Sequence, residues 1–166
     1  MLKALRDKAR QALSIEEAQA HCDIPCGIYD TGPALIAALT VVRMIDIIDG
    51  LVANKPACEA EYQNKLGRAI AEKEKHAEIV KHEIRVIWGD YFKAPQFEKF
   101  PKTNELVHSI MLQGSKVRQG ASREEAVKLV ELVNEFAEIF WETKGVESKR
   151  AICPYEPKLE TVYPVL

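Results

Sequence analysis

From Pro33 onward, Leu35, Ile36, Leu39, Val42, Ile45, Ile48 and Val52 recur every three or four residues. That period puts them on one side of an α-helix and cannot serve a strand. The stripe opens at Pro33, whose fixed φ suits a first helical turn, and closes near Asn54 and Pro56. A second helix is predicted from about Cys58 to Phe92, ended by Ala94-Pro95. Its middle, Glu72 to Glu83, is dominated by charge and expected to be mostly exposed, whereas Ile84, Ile87, Trp88 and Tyr91 return to a core. Phe97, Phe100 and Pro101 form an aromatic connector. Thr103 then opens a third helix carrying Leu106, Val107, Ile110, Met111 and Val117, which ends by Gly120. Ser122 followed by Glu125 is a capping box, and it opens a fourth helix with Val127, Val130, Val133, Phe136, Ala137 and Phe140, stopping at Gly145. Four amphipathic helices with short connections predict an all-α protein, an up-and-down four-helix bundle.

Two segments flank that pattern. Residues 1–20 place Ala4, Leu5, Ala9, Ala12 and Leu13 at loosely helical spacing with basic residues between them, a helical extension separable from the bundle. Ala18-Gln19-Ala20 imitates a secretory cleavage site, but Ser14-Ile15-Glu16-Glu17 stands where an export signal needs an uncharged apolar core. The protein is therefore expected in the cytoplasm. Residues 146–166 hold three prolines, two tyrosines and Cys153, and are expected to be extended, either disordered or packed over a neighbour. A chain of 166 residues fits one domain, and 47% hydrophobic with 29% charged residues is the mixture of a globular protein. A net charge of −2 gives no reason to propose a nucleic-acid or membrane partner.

The chemistry concentrates in the loop between these parts. His21-Cys22-Asp23-Ile24-Pro25-Cys26-Gly27 gathers two thiols and an imidazole within six residues. Pro25 restricts the chain and Gly27 permits a left-handed turn, so the backbone can fold back as a hook. A structural zinc site uses four side-chain donors, commonly from two separated pairs, and no second pair lies at that spacing here. If backbone nitrogens complete the donor set, square-planar geometry and nickel(II) or copper(II) follow. A cut between Ala20 and His21 would free the His21 α-amine to chelate together with its imidazole. The Cys22 amide and thiolate would extend the chelate and Cys26 would close the plane. The four cysteines are too few for a disulfide scaffold, and Cys58 and Cys153 are isolated bystanders.

The run His21-Cys22-Asp23-Ile24-Pro25-Cys26-Gly27-Ile28-Tyr29-Asp30 resembles the nickel hook at the mature N-terminus of nickel superoxide dismutases. The resemblance continues through Trp88-Gly89-Asp90-Tyr91-Phe92-Lys93-Ala94-Pro95, Phe97-Glu98-Lys99-Phe100-Pro101 and Phe140-Trp141-Glu142-Thr143-Lys144, covering residues 21–144. It implies a four-helix bundle assembled as a homohexamer, and a leader, residues 1–20, removed by a maturation protease. It also implies one nickel ion per subunit held by His21, Cys22 and Cys26, and disproportionation of superoxide to oxygen and hydrogen peroxide by Ni(II)/Ni(III) cycling. Tyr29 matches the tyrosine beside the open face of the metal, Tyr91 a supporting tyrosine, and Asp23 a residue whose backbone shapes the small-anion pocket. Trp141 and Lys144 match positions that brace a neighbouring subunit's hook. The resemblance breaks at two points. Ala37 and His76 stand where the best-known members carry a glutamate that holds the ligand imidazole and an arginine that backs it. Residues 146–166 extend past the family pattern.

Taken singly, several of these residues have plainer roles. Cys22 and Cys26 on spacing alone could be a redox disulfide or loop thiols, and Tyr29 an ordinary half-buried tyrosine. His76, His82 and His108 are expected to be solvated, and Trp88, Tyr91, Phe92, Phe97 and Phe100 to be core. Lys93 is a surface lysine that could help steer an anion. A rival reading of the whole is a non-enzymatic nickel- or copper-binding helical oligomer whose imidazole-supporting groups have been lost.

Overall fold

A computed structural model describes residues 26–166 of the chain. Four long helices account for most of it: α1, Gly32–Ala53; α2, Glu59–Val86; α4, Thr103–Gln119; and α5, Arg123–Thr143; a short α3, Ala94–Lys99, stands between the second and third of these. Each long helix returns antiparallel to the one before, which is the up-and-down bundle. The core is one cluster, with Val41, Ile45, Val80, Ile84, Ile110, Leu129, Val130, Phe136 and Phe140 fully enclosed. Among the described residues no helix is long and apolar enough to cross a membrane.

The boundaries follow the punctuation in the sequence. Pro33 lies in the first turn of α1. Ser122 caps α5, its hydroxyl accepting the Glu125 backbone N–H, a bond of the kind that stabilises a helix by about 1 kcal/mol. The apolar stripe of α1 is narrower than its period implied, because Ile36 and Val52 face solvent.

The charged middle of α2 departs further from expectation. Lys73, Ala77, Val80 and Ile84 form a buried stripe at spacings of four, three and four along a segment otherwise full of glutamate and lysine. Lys73 is only 3% exposed, and its ammonium donates to the carbonyls of Val117, Arg118 and Gly120 at 2.8, 2.7 and 2.6 Å. Those are carbonyls that a helix leaves unmatched at its C-terminus. One buried cation thus closes α4, at the end where the helix dipole favours positive charge. Desolvation pushes the Lys73 pKa below the ordinary lysine range, with Glu74 partly opposing.

Beyond α2 the chain widens into a π-helical turn, Ile87–Tyr91, closed by Phe92 N–H donating to the Ile87 carbonyl at 3.3 Å. Trp88 is less buried than a core residue and holds Asn104 through its indole N–H at 2.8 Å. The aromatic connector contains α3, so Ala94-Pro95 starts a helix as well as stopping one.

Residues 146–166, expected to be disordered or laid over a neighbour, form a hairpin on the chain's own bundle. Strand β1, Ser148–Ile152, pairs antiparallel with β2, Glu160–Pro164. Asn134 of α5, 0% exposed, joins the hairpin to the bundle. Its amide donates to the Glu160 carbonyl at 2.9 Å and its oxygen accepts the Val162 N–H at 3.0 Å. Arg150 reaches back to Glu138 and Glu131, while Cys153 and Val162 enter the core.

Candidate metal centre

The antiparallel run of the helices brings the start of α1, the end of α2 and the end of α5 to one end of the bundle. The hook loop enters there. Cys26 is exposed, and Gly27 follows it with φ 70°, the left-handed conformation that glycine adopts without a Cβ penalty. Asp30 then accepts the Gly32 N–H at 2.6 Å and turns the chain into α1. His21, Cys22 and Asp23, with the junction at Ala20, lie outside the described residues. Of the three expected side-chain donors Cys26 alone is described. Among the described residues no three His, Cys, Asp or Glu side chains form a group that could hold a metal ion. What is described suits a soft-metal hook: an exposed thiol followed by a left-handed glycine.

Tyr29 and Tyr91, separated by all of α1 and α2, come together with ring centroids 5.6 Å apart. Tyr91 also meets Phe92 and Phe140 edge-on at 5.4 and 5.1 Å, geometry favoured by the aromatic quadrupole. Its hydroxyl lies 2.8 Å from Thr143 Oγ1, and Thr143 in turn lies 2.6 Å from the Phe140 carbonyl. A carbonyl only accepts, so the Thr143 proton is spent there and Tyr91 is the donor to Thr143. The Tyr91 proton therefore points to the end of α5, while its ring packs against Tyr29. Sequence reasoning passed over Thr143. Its signal was a threonine in the last turn of a helix, where a hydroxyl can bond back to a carbonyl and still accept.

Lys144 places its ammonium 4.7 Å from the Tyr91 ring centroid and 5.4 Å from that of Phe140, a cation–π arrangement. Trp141 packs against Phe140 at 5.0 Å. It also lines a cavity of about 210 Å³ shared by the start of α1 and the hairpin. Both residues thus make contacts within their own chain. Lys93 is exposed near the same end, its ammonium 3.4 Å from the Gly89 carbonyl. Ala37 is buried in the core, and His76 is half-buried with Nδ1 2.8 Å from the Glu72 carbonyl. His82 and His108 are exposed.

A four-helix bundle preceded by a loop that carries an exposed thiol and a tyrosine tilted against a second tyrosine defines a class, helical bundles with a thiol-bearing N-terminal loop. The sequence model of nickel-containing superoxide dismutase matches residues 16–144, and the chain belongs to that family. It is 35% identical to the nickel superoxide dismutase of Streptomyces coelicolor over 125 residues, covering 75% of this chain and 88% of the relative. The Streptomyces seoulensis enzyme is 34% identical over the same shares. The native structure of a nickel superoxide dismutase superposes with a TM-score of 0.64 at 35% identity, covering 75% of this chain and 99% of that one. The hairpin lies beyond the region the family model matches.

Proposed function

We infer that this chain, once cut between Ala20 and His21, binds one nickel ion and converts two superoxide anions and two protons to dioxygen and hydrogen peroxide. The observation that carries the reading is the meeting of Tyr29 and Tyr91 beside the loop of Cys26 in a chain of this family. His21, through its new α-amine and its imidazole, Cys22, through its amide and thiolate, and Cys26, through its thiolate, would hold the metal. Nickel held there would supply the one-electron Ni(II)/Ni(III) couple that disproportionation of superoxide needs. Anionic sulfur and amidate donors favour the higher charge and bring that couple within reach.

The protein's own contribution is access and position. Tyr29, held by the Tyr91 ring, narrows the approach to a small anion, and the backbone at Asp23 shapes the other wall. A narrow approach also limits the stay of peroxide, which would oxidise the thiolates. Lys144 and Lys93 give the approach positive charge in a molecule of net charge −2, which favours arrival of an anion. Trp141 and Lys144 would brace the hook of a neighbouring subunit in a homohexamer. A maturation protease acts on residues 1–20, and the working location is the cytoplasm.

Protein co-expressed with nickel and that protease tests the reading by intact mass, metal analysis and superoxide decay. We expect a chain beginning at His21, one nickel per subunit and rapid decay of superoxide. Nickel-loaded protein that leaves superoxide untouched would make it a carrier.

A further inference from the structure

The hairpin and the base of the hook line one cavity. Tyr155, Thr161, Val162, Tyr163 and Pro164 face Asp30, Thr31, Gly32, Leu35, Ile36, Leu39 and Trp141 across the 210 Å³ cavity. Thr31 and Thr161, contributed one by each side, are 1% and 2% exposed, although the first begins a helix and the second belongs to a two-stranded sheet with no further strand. From Thr31 the chain runs back through Tyr29 to Cys26. At about 3.4 Å per residue, an anchor at Asp30 leaves Cys26 within roughly 14 Å.

We propose that the C-terminal hairpin is a clasp that positions the base of the nickel hook, with Asn134 as its fastening. The inference rests on the nickel reading above. The Tyr29–Tyr91 contact restrains the loop from the α2 side, and the hairpin restrains it from the α1–α5 side. Asn134 uses both ends of its amide on β2, at Glu160 and Val162, and is fully enclosed. Each bond therefore costs more to lose than an exposed one would. Arg150, bound to Glu138 and Glu131, fastens the outer strand. Residues 146–166 lie outside the family match, so the clasp is a device of this chain added to the family's bundle.

The test compares Asn134→Ala with Lys73→Met, a substitution that weakens the bundle roughly 27 Å along α2 from Tyr91. Arg150→Ala is a milder change at the clasp. Amide hydrogen exchange on nickel-free, full-length protein reads the clasp whether or not the chain proves to be a dismutase. Nickel dissociation and the Ni(III) paramagnetic resonance signal of the processed protein read its effect on the hook. We expect exchange at residues 29–36 to rise about tenfold in Asn134→Ala over Lys73→Met at matched global stability, with a smaller rise in Arg150→Ala. Nickel should leave Asn134→Ala about tenfold faster, the range for groups that orient metal ligands. Equal exchange in Asn134→Ala and Lys73→Met, or nickel dissociation unchanged from the parent, overturns the proposal. Wild-type protein that takes up no nickel, while Asn134→Ala still shows the localised rise in exchange, would retain the clasp and refute the nickel reading.

Discussion

Sulfur ligates nickel as a thiolate, and an alcohol has too high a pKa to replace it near neutral pH. Cys22→Ser and Cys26→Ser are each expected to abolish nickel retention and superoxide consumption, measured by metal analysis and stopped-flow decay. Cys58→Ser, at an exposed position before α2, should change neither. Cys153 is a different case because its thiol is buried, 3.1 Å from the Tyr155 carbonyl. Cys153→Ser should keep the metal but lower stability by about 1 kcal/mol, the usual scale for a change in buried hydrogen bonding. Lys73→Met keeps the length and apolar stem of the side chain and leaves three carbonyls without their cation. A loss of about 2–3 kcal/mol is expected, seen as a Tm lower by about 5–10 °C. Tyr91→Phe removes the bond to Thr143 while keeping the ring under Tyr29. Stability should fall by about 1 kcal/mol, with nickel still bound.

At the scale of elements, the helices were legible because their signals are local. Pro33 marks the start of α1, Ser122 with Glu125 that of α5, and the three-to-four spacing tells which face turns inward. The hairpin was hidden for a different reason: Ser148 pairs with Pro164 and Lys149 with Tyr163, across a connection, residues 153–159, that carries no glycine or short-turn signal. Its docking is fastened in part by an asparagine in a helix, and sequence alone gives no sign of where such an amide points. Lys73 escaped notice because a lysine amid charges reads as surface unless the helix ending beside it is known. In the candidate site, Tyr29 and Tyr91 were identified by the motifs around them, whereas their ring contact and the bond from Tyr91 to Thr143 emerged from the fold alone. For residues 1–20, N-terminal sequencing of active protein should begin at His21. Active protein retaining Met1 would exclude a free His21 amine as donor.

Across the whole molecule, charge pairs join the helices and set the response to acid. Glu78 of α2 pairs with Arg85 and, on α4, Arg118; Glu125 of α5 pairs with Gln113 and Lys116 of α4. The Arg85 hydrogen bond holds the Glu78 carboxyl below the usual glutamate range, and the Gln113 bond does the same for Glu125. A carboxylate with a depressed folded-state pKa stabilises the fold above its unfolded value and loses that contribution as pH falls through the folded one. Urea midpoints should therefore hold near neutrality and decline below about pH 4.5, with a small amplitude because such surface pairs are screened.

The cleft between Thr161–Pro164 and Asp30–Leu39 also orders events in time. Ribosomes deliver the hook before the hairpin, at about 5–20 residues per second. The base of the hook therefore waits roughly ten seconds for the strand on the far side of its cleft. Nickel or protease arriving on the nascent chain would meet a loop whose lower wall has yet to be made.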